Sequence, residues 1–135
     1  MSDANKALVK RYYDAVMGDF SGLDSIVAAD FVDHHMPAGT PPGPTGVKQF
    51  FQGVLGAVFS DMRIEHEAML AEGDKVVCTF ALRARHTADF GDIPAKGFEI
   101  LCKAISTFRI ANGKLAEAWE IYDSGDLAKQ MLGQA

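Results

Sequence analysis

The sequence predicts an α+β fold in which helices come first and a mainly antiparallel sheet and a closing helix follow. Three observations carry that expectation. Apolar residues recur at helical spacing as far as Val58, the period changes towards two from Met62, and Asn112-Gly113 sits between two alternating runs. That dipeptide supplies the two positive-φ positions of a tight two-residue hairpin. At 135 residues, with nine phenylalanines, the chain suits one domain over 1–135. A chain of that size buries roughly two-thirds of its unfolded surface, enough for a core and a pocket.

Leu8, Tyr12, Ala15 and Val16 lay one apolar face along a first helix from Asp3 to Met17, and Gly18 ends it. Ser21 and Asp24 resemble a capping pair for a short second helix through Leu23, Ile26 and Val27. Asp30 to Met36 reads as a brief strand leading into the proline-rich connector Pro37–Pro44, a rim or lid. Thr45 is an N-cap for the next helix, whose Val47, Phe50, Phe51, Val54, Leu55 and Val58 form the broadest apolar stripe. Such a stripe is more often core than ligand box, although a helix across a curved sheet serves as both. Met62–Leu70 and Lys75–His86 then form a hairpin around Glu72-Gly73-Asp74, Ala88–Pro94 breaks the pattern, and Lys96–Ile110 enters the second hairpin. Leu127, Met131 and Leu132 recur at helical spacing after Asp123. Helices on one face of a strongly bent sheet enclose a pocket.

The formal charge of −5 and scattered Lys and Arg give no attraction for phosphate backbones, so nucleic acid is not expected as a partner. No apolar run approaches the roughly twenty residues that span a bilayer, and no membrane partner is expected. The first residues lack a basic head followed by an apolar core, so no secretion signal is read. Cys78 and Cys102 lie on separate strands without a Cys-x-x-Cys partner, which suggests buried, reduced thiols and a cytoplasmic protein.

Strict alternation puts Leu115, Glu117, Trp119, Ile121 and Asp123 on one side of the last strand, which would set the Asp123 carboxylate in a largely apolar place beside Trp119. Two readings of Asp123 stand: a catalytic acid/base group, or a cap for the last helix. His86 alternates with Ala84, Leu82 and Phe80, so it either lines the pocket or is a structural histidine. His34 and His35 point to opposite faces if their strand persists. His66, between Glu65 and Glu67, reads as a solvated edge, and Arg83 and Arg85 face away from His86. Asp33, His34, His35 and His86 could form a two-histidine, one-carboxylate set, but nothing in their spacing demands it and no metal is expected. No glycine-rich strand-to-helix turn is present, and no cofactor is expected.

Several segments in this order resemble a family. They are Phe31-Val-Asp-His34, Gly46-Val-Lys-Gln-Phe-Phe51, Ser60-Asp-Met-Arg63, Ala71–Val76, Arg85-His-Thr87, Phe108-Arg-Ile110, Asn112-Gly-Lys114 and Trp119–Asp123. Nearly end to end, the chain is similar to the SnoaL-like polyketide cyclases of the nuclear transport factor two and ketosteroid isomerase superfamily. The resemblance implies a cone-shaped, curved, mainly antiparallel sheet with helices packed on its concave side. It also implies an aspartate at the end of the last strand, Asp123 here, that removes a proton next to a carbonyl so that the enolate closes a ring by aldol addition. Burial beside Trp119 would raise that carboxyl towards working pH. The family often carries a histidine where this chain has Ser106, which can donate a hydrogen bond to an enolate oxygen but cannot shuttle protons near neutrality.

The residues expected to act are therefore Asp123, His86 and His34, the last being the better match to the family's motif. Trp119, Phe50, Phe51, Val54, Met62 and Ser106 are expected to bind a small apolar or aromatic carbonyl compound. Two other functions remain open: a non-catalytic module for an apolar ligand, and an epoxide hydrolase, which the resemblance ties to an aspartate-arginine-aspartate set to which Arg109 could contribute. Val77, Thr79 and Ala81 leave one sheet face mixed enough to pack against a second copy, giving a homodimer.

Overall fold

Leu8, Val9, Tyr12, Tyr13, Ala15 and Val16 form the buried face of helix α1 (Ser2–Val16) in the computed structural model, which describes residues 2–134. The short helix α2 (Leu23–Ile26) follows, and strand β1 (Val27–Asp33) continues directly from it. Ser21 and Asp24 do not cap α2. Gly22 takes the N-cap position at φ 73°, with no side-chain cap bond. β1 also begins and ends earlier than its sequence pattern suggests, because the chain turns at His34–Met36, where the Met36 N–H donates to the Asp33 carbonyl at 3.2 Å.

The next helix starts inside the proline-rich connector and not after Thr45. α3 (Gly43–Lys48) has Pro42 at its N-cap position and a proline in its first turn, where a missing N–H forfeits no helical bond. The chain runs on through a π-helical stretch, Gln49–Leu55, into α4 (Gly56–Val58). Four long strands then follow: β2 (Phe59–Glu72), β3 (Lys75–His86), β4 (Glu99–Ala111) and β5 (Lys114–Tyr122), with α5 (Ser124–Met131) last. The sheet order is β1-β5-β4-β3-β2, antiparallel throughout except for the parallel β1–β5 pair. Asn112 and Gly113 sit at φ 53° and 75°, as a hairpin turn of the mirror-image type requires.

Alternation along β3 and β4 turns Val76, Cys78, Phe80, Ala84, Ile100, Cys102, Ser106 and Phe108 towards the helices. Tyr12 and Tyr13 meet Phe108 edge to face at ring distances of 5.5 and 5.8 Å, joining α1 to the sheet. Cys78 pairs with Ser106 and Cys102 with Leu82 across the sheet, so the two thiols are apart, free and buried. β5 pairing stops at Ala104, and beyond that point the Gln130 side chain of α5 takes the place of a strand neighbour. Its amide accepts from the Leu101 N–H at 2.6 Å and donates to the Leu101 carbonyl at 2.8 Å.

Irregularities in strand pairing decide which side chains face inward. Arg109 pairs with Glu117 and Ile110 with Leu115, so Ala116 is an extra residue on β5. A bulge of this kind reverses the parity of the strand beyond it. Leu115 and Ala118 are accordingly both buried, whereas Trp119 and Ile121 turn outward. The shared face expected for Leu115, Trp119 and Asp123 does not form. On β2, Ser60 pairs with Arg85 and Arg63 with Arg83, leaving Asp61 (φ 53°) and Met62 opposite Ala84 as a second bulge.

The connector is held by close backbone approach to α3. A Cβ on Gly46 would run into the Pro41 carbonyl oxygen, whereas a Cβ on Gly53 meets nothing within 4 Å. Gly46→Ala is expected to destabilise the fold by about 1–3 kcal/mol, the usual cost of overpacking. Gly53→Ala should be neutral or slightly stabilising. Urea titration of both variants checks this, and equal effects at the two sites would refute the role given to Gly46.

Candidate active site

The concave side of the sheet and the helices over it enclose a cavity of about 270 Å³, near the lower end of ligand-site volumes, roughly 300–1,000 Å³. Tyr12 and Tyr13 enter from α1, and Phe50, Phe51 and Val54 from the helix over the sheet, whose π-helical turns bring these three to the same space. Phe80 and Phe108 form part of its floor. Polar side chains are few. They are Asp33 and His35 from the end of β1 and the turn after it, Ser106 from β4 and Glu120 from β5, besides the phenols of Tyr12, Tyr13 and Tyr122 and the Cys102 thiol.

Those four groups are joined in a chain of hydrogen bonds. The Ser106 hydroxyl donates to Glu120 Oε1 at 2.9 Å. His35 Nε2 stands 3.0 Å from Glu120 Oε2, and its Nδ1 donates to Asp33 Oδ1 at 2.6 Å. The Asp33 carboxylate also accepts from the His35 backbone N–H at 3.1 Å, which shapes the turn that brings the imidazole back inside. Phe50 packs edge-on against that ring at 5.2 Å. Burial alone would push the His35 pKa down, but its hydrogen bonds and charge interactions with Asp33 and Glu120 outweigh burial and raise it to about 10. The imidazole is therefore a cation held between two carboxylates at neutral pH. Burial, reinforced by the charges of Asp33 and Glu120, holds the Tyr12 phenol well above its ordinary range, and burial first among several causes does the same for Tyr13. Both phenols keep their protons and can donate them in hydrogen bonds.

The structure brings some of the expected residues here and not others. Phe50, Phe51, Val54 and Ser106 line the cavity. Asp123 does not: it is exposed, and its carboxylate caps α5 by accepting from the Asp126 N–H at 2.9 Å. The cap reading of this residue is the one the geometry fits. Trp119 lies on the outer face, stacked on His34 at 5.3 Å and 19°, with Lys75 Nζ 5.9 Å from its ring. His34, outside with it, bonds Glu117 Oε2 at 2.6 Å. The alternation expected at these two histidines holds, but His35 is the one inside. Met62, displaced by its bulge, borders a separate depression with Val16 and Met17. His86 is fully buried beside Phe59, its rings 5.8 Å away, and reaches neither the cavity surface nor a hydrogen-bond partner. Arg109 also faces outward, donating to Glu117 Oε1 at 3.0 Å, so the cavity lacks the arginine of an epoxide hydrolase set.

Glu120, His35 and Asp33 are thus the acid/base groups that strand alternation did not assign. The sequence carried no signal for Glu120, because the bulge that turns it inward is fixed by pairing with β4. His35 had a weak one, an aspartate two residues earlier able to bond its backbone and ring.

Comparisons with known proteins agree with this fold. A comparison with curated proteins gives no match. Among solved structures, the chain is similar to a provisionally assigned polyketide cyclase from Acidithiobacillus ferrooxidans, at 22% identity over 98% of this chain and 96% of that one, with a TM-score of 0.82. TsrD from Streptomyces laurentii gives 22% identity over 98% and 97%, with a TM-score of 0.82, a likeness that shows the fold. IdmH from Streptomyces antibioticus, also provisionally assigned as a polyketide cyclase, gives 27% identity over 96% and 98%, with a TM-score of 0.76. The model of the SnoaL-like polyketide cyclases matches residues 7–131, and with that match over a curved α+β fold of the expected topology, the chain belongs to the SnoaL-like polyketide cyclase family.

Proposed function

We propose that this chain is an enzyme that runs cofactor-independent acid/base chemistry on a small hydrophobic carbonyl compound, in the manner of a polyketide cyclase, with the Glu120 carboxylate as general base. One observation carries the reading: in a largely apolar cavity, the Ser106 hydroxyl and the His35 imidazole each engage one oxygen of Glu120. Ser106 and His35 fix both of its oxygens, and a positioned carboxylate typically supplies about 10²- to 10⁴-fold as a general base.

In the proposed reaction Glu120 takes a proton from the carbon next to a ketone, and the C–H electron pair becomes an enolate. The enolate carbon attacks a second carbonyl of the same molecule, forming the ring bond. The resulting alkoxide recovers the proton from Glu120, so nothing beyond the substrate is consumed. His35, cationic up to about pH 10, keeps a positive charge beside the site as negative charge moves from Glu120 to substrate. Tyr12 and Tyr13 supply the hydroxyl protons for an enolate oxygen, while that of Ser106 is committed to Glu120.

A second copy of the chain completes the proposal. Two rows of side chains cross the outer sheet face in register, Leu70-Val77-Thr107-Trp119 and Ala68-Thr79-Ile105-Ile121. Leu70 is 70% and Ile121 77% exposed, which favours burial against an identical face. Free, buried thiols support a reducing, cytoplasmic setting.

Cyclisation of an aromatic 1,5-diketone to its β-hydroxy ketone, followed by chromatographic loss of the diketone, tests the base. Glu120→Gln should lower the rate by about 10²- to 10⁴-fold. Asp123→Asn should leave it within a few-fold and Asp123→Ala cost about 1 kcal/mol of stability through the lost cap. Loss of turnover in Asp123→Asn with Glu120→Gln active would restore the first assignment. Wild-type binding without turnover, unchanged in Glu120→Gln, would assign the cavity to ligand carriage.

His35 gives a pH dependence of defined sign. Its folded pKa is raised, so its stabilising effect is complete below the unfolded value of about 6.5 and is lost as pH rises through about 10. Urea midpoints of the wild type should therefore fall between pH 7 and 10 more steeply than those of His35→Gln, and parallel curves would refute the ion pairs. Ile121→Asp should convert a dimer to monomer by light scattering, and a monomeric wild type would defeat the dimer.

A further inference from the structure

His86 is the one buried residue whose side chain is polar and, among the described residues, bonded to nothing at either ring nitrogen. An imidazole that gives up water for no partner destabilises the fold, and a fold that keeps one calls for a reason. Its backbone leaves no freedom to escape. The His86 N–H donates to the Phe98 carbonyl at 2.9 Å and its carbonyl accepts from Gly97 at 3.1 Å, so the ring is committed to the concave side with Ala84. Phe59, paired with His86 across β2 and β3, both packs on the imidazole and lines the cavity. Ile100 and Leu127 line the same region of the cavity and belong to the same small apolar cluster as Phe59. This end of the cavity is set apart from the polar chain of Asp33, His35, Ser106 and Glu120, since Ile100 lies at the start of β4 and Ser106 further along it.

We propose that His86 is a concealed second polar anchor of the ligand site, uncovered when Phe59 rotates, and that it takes a hydroxyl or carbonyl group carried at the opposite end of the ligand from the carbonyl that meets Glu120. The ligand class that follows is an aromatic compound with oxygen functions at both ends. The imidazole suits either, since one ring nitrogen donates and the other accepts in the neutral form. Phe59 is an aromatic side chain with only two side-chain torsions and stands beside the paired Ser60–Arg85 position, at the start of β2 and just before a bulge. The proposal rests on the ligand role of the cavity but not on Glu120 being a base.

The test uses the full chain and two naphthalene ketones, 2-acetylnaphthalene with one oxygen function and 6-acetyl-2-naphthol with a hydroxyl at the far end. Titration calorimetry of the wild type should show the hydroxylated compound binding about tenfold tighter, the effect of one hydrogen bond made by a previously unpartnered group. His86→Leu should abolish that preference while still binding 2-acetylnaphthalene, and it should raise the unfolding temperature, because an unsatisfied polar group is gone. Equal affinity of the two compounds for the wild type, or a preference that survives in His86→Leu, overturns the proposal. Should His86→Leu not fold, long-range proton–nitrogen NMR of the wild type decides: shifts of the His86 ring nitrogens with 6-acetyl-2-naphthol and not with 2-acetylnaphthalene support it, and no difference overturns it. Failure of both ketones to bind would remove the cavity as a carbonyl site altogether. Binding without any His86 effect would remove only this anchor.

Discussion

One inserted residue on the last strand, Ala116, sets the character of both faces of the sheet. With regular pairing after the Asn112-Gly113 turn, Glu120 would stand on the outer face and Trp119 would fill the cavity. The bulge exchanges them. Inside, Glu120 gains Ser106 and His35 as partners in a space otherwise walled by aromatic rings. Outside, Trp119 stacks on His34, and Glu117 holds both His34 and Arg109. A single change of parity therefore adds the Glu120 carboxylate to a cavity that already holds Asp33, His35 and Ser106, and puts the Trp119 ring on the outer face.

That carboxylate could not stay in such a place unsupported. Glu120 and Asp33 are two acids on neighbouring parallel strands, with side chains 19% and 7% exposed, and His35 is the only cation between them. Their repulsion is relieved by an imidazolium that bonds one with each nitrogen, and the same two bonds hold that ring charged far above its ordinary range. The arrangement is geometrically stiff as well, because Asp33 grips the His35 backbone and Phe50 packs on the ring. Stiffness matters for a base: a carboxylate whose two oxygens are already oriented need not reorganise when a proton arrives.

Much of the fold was legible from periodicity. Helical spacing through Leu8, Tyr12 and Val16, the alternation of β3 and β4, and the Asn112-Gly113 turn each correspond to an element seen here, because each depends only on local preferences and on a buried face. The apolar lining at Phe50, Phe51 and Val54 was legible for the same reason. The acid/base groups were not, and the failures share a cause. Asp123, Trp119 and Met62 were placed by counting in twos along strands that contain bulges, and a bulge is fixed by pairing with a neighbouring strand, which no single run of sequence records. His34 was preferred to His35 for its match to the family's motif, whereas the turn that follows β1 at Asp33 brings His35 inside.

Asp123 shows how a residue can matter to a cavity without entering it. Its carboxylate starts α5, and α5 delivers Leu127 to the cavity wall and Gln130 to the open backbone of Leu101. Because β5 no longer pairs with β4 at that point, the helix is what closes this end of the cone. The cap thus acts on the apolar end, where Leu127 and Phe59 meet, while Glu120 acts on the polar end. Weakening the cap should loosen α5 and the packing around Leu127 before it disturbs the bonds of Glu120, since those bonds run to β1 and β4 and none of them to α5. The two carboxylates at the end of the chain thereby divide the work: one holds the wall, and the other faces what the wall encloses.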